Sequence, residues 1–237
     1  MEIVIPINIF AQYFEAKDSR KLTLLRQLLR SMEKQKLRKE GESNAVYGNT
    51  ARAQIRSTIL YSGDHRYTNK KLKEIKALKP ERKWDITDQK VNIRVLEKFL
   101  KMSLPESIQN SDLEKINPKI TTMPFHGIYI KIVPTLVFRT VINGKKKIGA
   151  CMVHSSQQHP FSVAESKIVS ALLYLFLSNA LLEEDEEVDN ELCFCLDMYA
   201  GTTIASNKFF PSDMKTIKKI CADLPNNWVL AANQLAA

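Results

Sequence analysis

The chain has 237 residues, 44% of them apolar, with seven glycines and nine prolines. It is long enough to bury a sizeable core and too poor in glycine and proline for a linker or a disordered chain. The net charge of +9 is unevenly placed, because residues 1–120 hold 25 Lys and Arg against 15 Asp and Glu while residues 121–237 hold 10 against 11. A basic surplus confined to one half points to a polyanionic partner, DNA or RNA first, although a solvated basic helix surface has the same composition.

In chain order, residues 3–10 predict a short strand, with Pro6 favouring an edge position. From 19 to 40, Leu22, Leu25, Leu28, Leu29 and Met32 recur at helical spacing. Lys21, Arg26, Arg30 and Lys34 occupy the opposite face, Gly41 is the stop signal, and 42–49 reads as a loop. Helices are expected over 50–61, 70–78 and 88–104. Gly63-Asp64 separates the first two, Pro80 ends the second and Pro105 the third. Val91, Val95, Leu96, Phe99 and Leu100 form the apolar stripe of the third, with Asp88 near its positive end. Residues 107–122 read as a connection.

The periodicity then changes. Residues 128–142 are rich in Ile, Val, Phe and Tyr, interrupted by Pro134, and Asn143-Gly144 supplies the positive φ angles of a tight hairpin whose second strand is 147–154. Ser162 and Glu165 have capping-box spacing and start a helix over 162–182 that is apolar nearly all round, hence buried. Residues 192–196 make a strand apolar on both faces, ending at Asp197, which marks it as interior to a sheet. Two helical pieces, 212–224 and 226–235, complete the chain. The fold class is therefore α/β, in its α+β variety. A helical basic region (1–106) packs on a mixed-sheet core with C-terminal helices (107–237), or the two form one continuous domain.

Cys151, Cys193, Cys195 and Cys221 form no metal-ligand spacing, and the four histidines supply none, so core packing rather than zinc is expected. The apolar start lacks a basic n-region and a cleavage site, and 168–182 is too short to span a membrane. A soluble cytoplasmic protein without a cofactor is expected. No glycine-rich phosphate loop and no Gly-x-Ser-x-Gly elbow occur.

Helix, hairpin, helix, strand over 88–206 resembles the PD-(D/E)xK, or restriction-endonuclease-like, core. That family carries a Pro-Asp pair at the head of one hairpin strand and an acid-x-Lys triplet at the end of the next. Its acids hold a divalent metal. Here Pro134-Thr135 stands in the first place and Met152-Val153-His154 in the second. Threonine lacks the charge and methionine is a soft, neutral ligand unsuited to magnesium. The resemblance thus implies a nuclease-like scaffold without its metal-binding acids.

Three functions follow as expectations. The favoured one is a non-catalytic nucleic-acid-associated protein, by analogy of a prokaryotic defence or mobile-element system. Its grip would come from Arg26, Arg30, Arg139, Lys145, Lys146 and Lys147. The second is an interaction or regulatory protein that meets a basic partner, or its own N-terminal half, through Glu183, Glu184, Asp185, Glu186 and Glu187. The third is a metal-dependent nuclease with a rearranged site, for which His154 and Asp197 are the candidate catalytic groups.

Overall fold

A computed structural model describes residues 2–37, 47–109, 111–206 and 211–236. The elements in chain order are β1 (Val4–Pro6), α1 (Ile7–Glu15), α2 (Asp18–Lys36), α3 (Asn49–Leu60), α4 (His65–Ala77), α5 (Lys83–Phe99), α6 (Glu106–Gln109), β2 (Glu114–Ile116), β3 (Thr122–Phe125), β4 (Ile128–Lys131), β5 (Leu136–Ile142), β6 (Lys145–His154), α7 (Val163–Ala180), β7 (Glu186–Asp197), β8 (Thr202–Ala205) and α8 (Pro211–Ala236). The class is mixed α+β, as expected. Two mixed sheets run in the orders β1-β4-β3 and β2-β5-β6-β7-β8. The contacts do not divide the chain near residue 106. One unit comprises Met1–Ala45, Ile120–Val133 and Phe209–Ala237, the other Val46–Lys119 and Pro134–Lys208.

In the first unit the strand expected over 3–10 is confined to Val4–Pro6, paired in parallel with β4 at the edge of the small sheet. Helix α1 starts directly behind Pro6 because Ile7, Phe10 and Ala11, at i, i+3 and i+4, can all be buried on one helical face. Helix α2 ends at Lys36, while the expected stop at Gly41 and the loop at 42–46 lie outside the described residues. The two helical pieces expected at the C-terminus are one helix, α8, with Pro225 inside it. Buried Ile217, Ile220, Cys221, Leu224, Trp228 and Ala231 continue a single stripe across the proline. That burial outweighs the one backbone donor the proline removes. Asp223 of α8 accepts from Tyr13 Oη (2.9 Å) and Lys21 Nζ (2.8 Å), tying α1 and α2 to it.

The second unit is a five-stranded sheet with helices on both faces. Helix α4 begins at His65 rather than 70, because the Asp64 carboxylate caps it by accepting the Arg66 N–H at 2.9 Å. Helix α5 begins at Lys83, so Asp88 is interior. Its carboxylate accepts from the Gly48 N–H (2.9 Å) and Asn92 Nδ2 (2.8 Å) instead of capping. The supposed connection 107–122 contains α6 and the edge strand β2, and Pro134 marks where 128–142 divides between the two sheets as β4 and β5. The hairpin forms as expected, with φ of 53° at Asn143 and 76° at Gly144.

Strands β6 and β7 are parallel and joined by α7, whose capping box is complete. The Ser162 hydroxyl accepts the Glu165 N–H (3.0 Å) and the Glu165 carboxylate accepts the Ser162 N–H (2.8 Å). Helix α7 is long and apolar enough to cross a membrane by composition, yet Ile168, Val169, Leu172, Leu173 and Phe176 are buried and the helix packs on β6, β7 and β8. Strand β7 starts at Glu186, earlier than 192, and lies between β6 and β8, interior as its apolar run implied. On the sheet face away from α7, Phe138, Cys151, Val153, Leu192, Phe194 and Leu196 join Ile55, Ile59, Val95 and Phe99 in one core. All four cysteines are free and buried, and burial pushes the Cys151 thiol up to about 12.

Candidate functional site

Parallel strands end side by side at a place where α/β sheets commonly put their sites. His154, the last residue of β6, is the register partner of Asp197, the last of β7. The chain folds this way locally because loop 155–160 turns back into the α7 cap. This loop brings Phe161 face to face with the His154 ring, at 3.6 Å and 11°. His159 follows, its Nε2 3.0 Å from Glu165 Oε1. From the other sheet face, Arg52 of α3 donates to Ser155 Oγ at 3.1 Å, while its buried Nε has no hydrogen-bond partner among the described residues.

The chemistry available to this cluster is restricted. Asp197 is fully buried and accepts three backbone N–H groups, from Phe161 (2.7 Å), Tyr199 (2.8 Å) and Ala200 (2.6 Å). Its carboxylate lies 3.9 Å from His154 Nε2, beyond hydrogen-bond length, and that nitrogen donates to the His159 carbonyl at 2.9 Å. Glu165, also buried, is shared between the cap and His159. Thr135 Oγ1 accepts the Val153 N–H at 2.9 Å, so it closes the strand pair rather than facing a ligand. Among the described residues no group of three or more His, Cys, Asp or Glu side chains is placed to hold a metal ion. Sequence spacing had shown His154 and Asp197 only as separate strand ends and Glu165 only as a helix cap, and had not shown His159 or Arg52.

Burial holds His154 below its usual value of 6.5, against the opposing pull of the His159 carbonyl and of Asp197. The native state therefore prefers the neutral ring, whereas the unfolded chain takes up a proton near 6.5. This contribution to stability is complete above 6.5 and is lost as the pH falls towards the lower native value. Urea midpoints measured between about pH 8 and pH 5 should decline from about 6.5 downward, and H154Q should show a flatter decline. A midpoint equally flat in both proteins would refute the assignment. The depressed carboxylates of Asp185 and Glu187 act separately, below their ordinary values of 3.8 and 4.5.

A second cluster lies at the hairpin end of the same sheet. Arg139 pairs with Glu186 and Glu183, Lys145 with Glu187 (3.3 Å), Lys146 with Asp185, and Lys147 with Glu187 (2.6 Å) and Asp189 (3.9 Å). The parallel register explains the arrangement, since Lys146 and Lys147 sit directly opposite Glu186 and Glu187. Glu183, Asp185, Glu186 and Glu187 of the acidic stretch thus have basic partners in the hairpin of their own unit. Glu186 has a side chain 1% exposed and is compensated by the Arg139 guanidinium. An open cavity of about 860 Å³ adjoins Arg139, Lys146 and Glu186. Arg26 and Arg30 lie on α2 in the first unit, Arg26 donating to Thr23 Oγ1 at 3.2 Å.

A third charged surface belongs to α3–α5. Residues 49–101 hold 14 Lys and Arg against six Asp and Glu. Ion pairs take up Arg66, Lys71, Lys76 and Arg82. Exposed Lys70, Lys73, Lys79, Lys83, Lys90 and Lys101 have no carboxylate partner among the described residues. No protein-family model matches the chain, and no curated protein matches it.

Proposed function

We propose that this chain is a non-catalytic nucleic-acid-binding protein on a nuclease-like scaffold. The observation that carries the reading is the contrast between its two basic surfaces. The cations of the hairpin are already neutralised by carboxylates at their own end of the sheet, whereas six exposed lysines of the α3–α5 region have no carboxylate partner among the described residues. Exposed lysines bound only to water and counterions gain by meeting phosphate, because counterions are released. Lysines held in ion pairs must first give up those pairs. The grip therefore rests on the helical layer, with Arg139 and Lys145–Lys147 in a structural role.

The scaffold half of the reading is supported by the order α5, β5–β6 hairpin, α7, β7, with β7 parallel to β6. The non-catalytic half is supported by the hydrogen-bonded state of Thr135, Asp197 and Glu165.

Fluorescence anisotropy with labelled DNA and RNA, single- and double-stranded, tests the reading across about 25–200 mM salt. Binding that weakens steeply with salt is expected, with K73E/K79E/K83E lowering both affinity and salt slope. Absence of binding at the lowest salt would overturn it. Incubation with magnesium or manganese is expected to leave the nucleic acid intact, and metal-dependent cleavage would replace this reading with the nuclease one.

A further inference from the structure

The junction of α3 and α4 exposes two large aromatic rings, Tyr61 just past the end of α3 and Tyr67 in the first turn of α4. Tyr61 is 62% and Tyr67 53% accessible, and their centroids are 5.4 Å apart with planes inclined by 32°. They stand at one end of a groove of about 380 Å³ between the two helices, whose walls carry Lys70 and Lys71 together with Gln54 and Ser57. Leaving two tyrosines in water costs apolar area that a core or a neighbour could have covered, so a pair of them beside lysines marks a surface with a use.

From this arrangement we infer that the Tyr61–Tyr67 groove binds single-stranded nucleic acid by stacking its bases. The inference rests on the nucleic-acid reading above and names the strand state and the contact. Each element matches one chemical requirement of such a strand. Its unpaired bases present flat π-faces, which phenol rings accept regardless of base identity. Its phosphates repeat alongside, and Lys70 is exposed with no carboxylate partner among the described residues to compete for them. The Ser57 hydroxyl donates to the Ala53 carbonyl (3.1 Å) and Gln54 Nε2 to Thr58 Oγ1 (3.4 Å), which leaves the oxygens of both side chains as acceptors for base edges or sugar hydroxyls. The two rings already touch one another, so a base stacks on the outer face of the pair and a neighbouring base continues along the groove. A duplex offers no free base face and would meet only the lysines. An acidic peptide would meet the lysines but leave the rings without a planar partner. Glu74 lies in the same groove, where it is held by Lys71 at 3.1 Å, so its charge is largely compensated there.

The test compares labelled oligothymidylate of about 20 nucleotides with a duplex of similar length at low salt. Wild type is expected to bind the single strand, and Y61A/Y67A to lose about 10- to 100-fold of that affinity. Its duplex affinity should change by less than about twofold, since the phosphate contacts remain. Y61F/Y67F should retain single-strand binding, because the ring face and not the hydroxyl makes the contact. K70E should weaken both ligands and lower the salt slope. Both rings are exposed, and circular dichroism with a thermal melt of each variant confirms folding. If wild type binds nucleic acid but Y61A/Y67A binds the single strand as well as wild type, stacking is refuted while the nucleic-acid reading stands. Duplex binding without single-strand binding refutes it equally. Displacement of the bound strand by polyglutamate at matched charge assigns the groove to an acidic polypeptide and overturns the inference. Failure of wild type to bind either strand form at low salt removes both readings.

Discussion

Gly149→Ala is expected to destabilise the second unit by about 3 kcal/mol, a large share of the stability of an ordinary domain. Gly149 lies in β6 where the register with β7 shifts, so that Ile148 opposes Val188 while Ala150 opposes Cys193. The extra β7 residues bulge, and the Leu192 side chain fills the space a side chain at 149 would need. A β-carbon there would stand 2.5 Å from Leu192 Cβ, 2.8 Å from the Leu192 carbonyl oxygen and 2.8 Å from Phe138 Cζ. Two of these neighbours are backbone or backbone-proximal atoms, which cannot rotate away, so strands β6 and β7 must separate. Urea denaturation of wild type and G149A measures the effect, and Leu192→Ala in the same chain should not restore the loss, because alanine keeps the β-carbon and carbonyl oxygen that make the contacts. An unchanged midpoint for G149A would show that the strands do not approach as closely as described.

Asp197→Ala is the second large effect, at about 3 kcal/mol. The substitution removes the acceptor of three backbone N–H groups, and a buried donor without a partner costs on the order of 1–3 kcal/mol. Asn should be intermediate, because its one carbonyl oxygen can still serve Tyr199 and Ala200 while its amide meets the Phe161 N–H. Thermal melts rank wild type, D197N and D197A in that order. The result bears on function as well as stability. If D197A were as stable as wild type, the carboxylate would be free of its structural task and a catalytic role for it would regain force.

Much of the second unit was legible from local chemistry. Asn143-Gly144 requires positive φ and has it, Ser162 and Glu165 close a capping box over four residues, and β7 is interior because both its faces are apolar. Misreadings arose where burial on one side of an element competed with a local signal. The strand expected over 3–10 stops at Pro6, and the two helical pieces expected around Pro225 are one helix, because the apolar stripes beside both prolines are helical. Asp88 looked like a helix start, yet it lies within α5 and binds Gly48 from the chain ahead of α3. For the candidate site, sequence spacing named His154, Asp197 and the hairpin cations, without showing which of them were engaged.

The sequence by itself determined the mixed class, the hairpin, the buried helix with its cap and the segregation of positive charge. Each depends on φ preferences, hydrogen bonds a few residues apart, side-chain periodicity or simple counting. Only the tertiary structure decided how the charges and polar groups are spent. The parallel register of β6 and β7 sets Lys146 and Lys147 against Glu186 and Glu187, and the same register sets His154 beside Asp197. The α3–α4 turn sets Tyr61 against Tyr67. Such pairings follow from strand order and helix docking, which are chosen by burial of the whole core, so the neutralised hairpin and the open helical face were not visible in the order of residues.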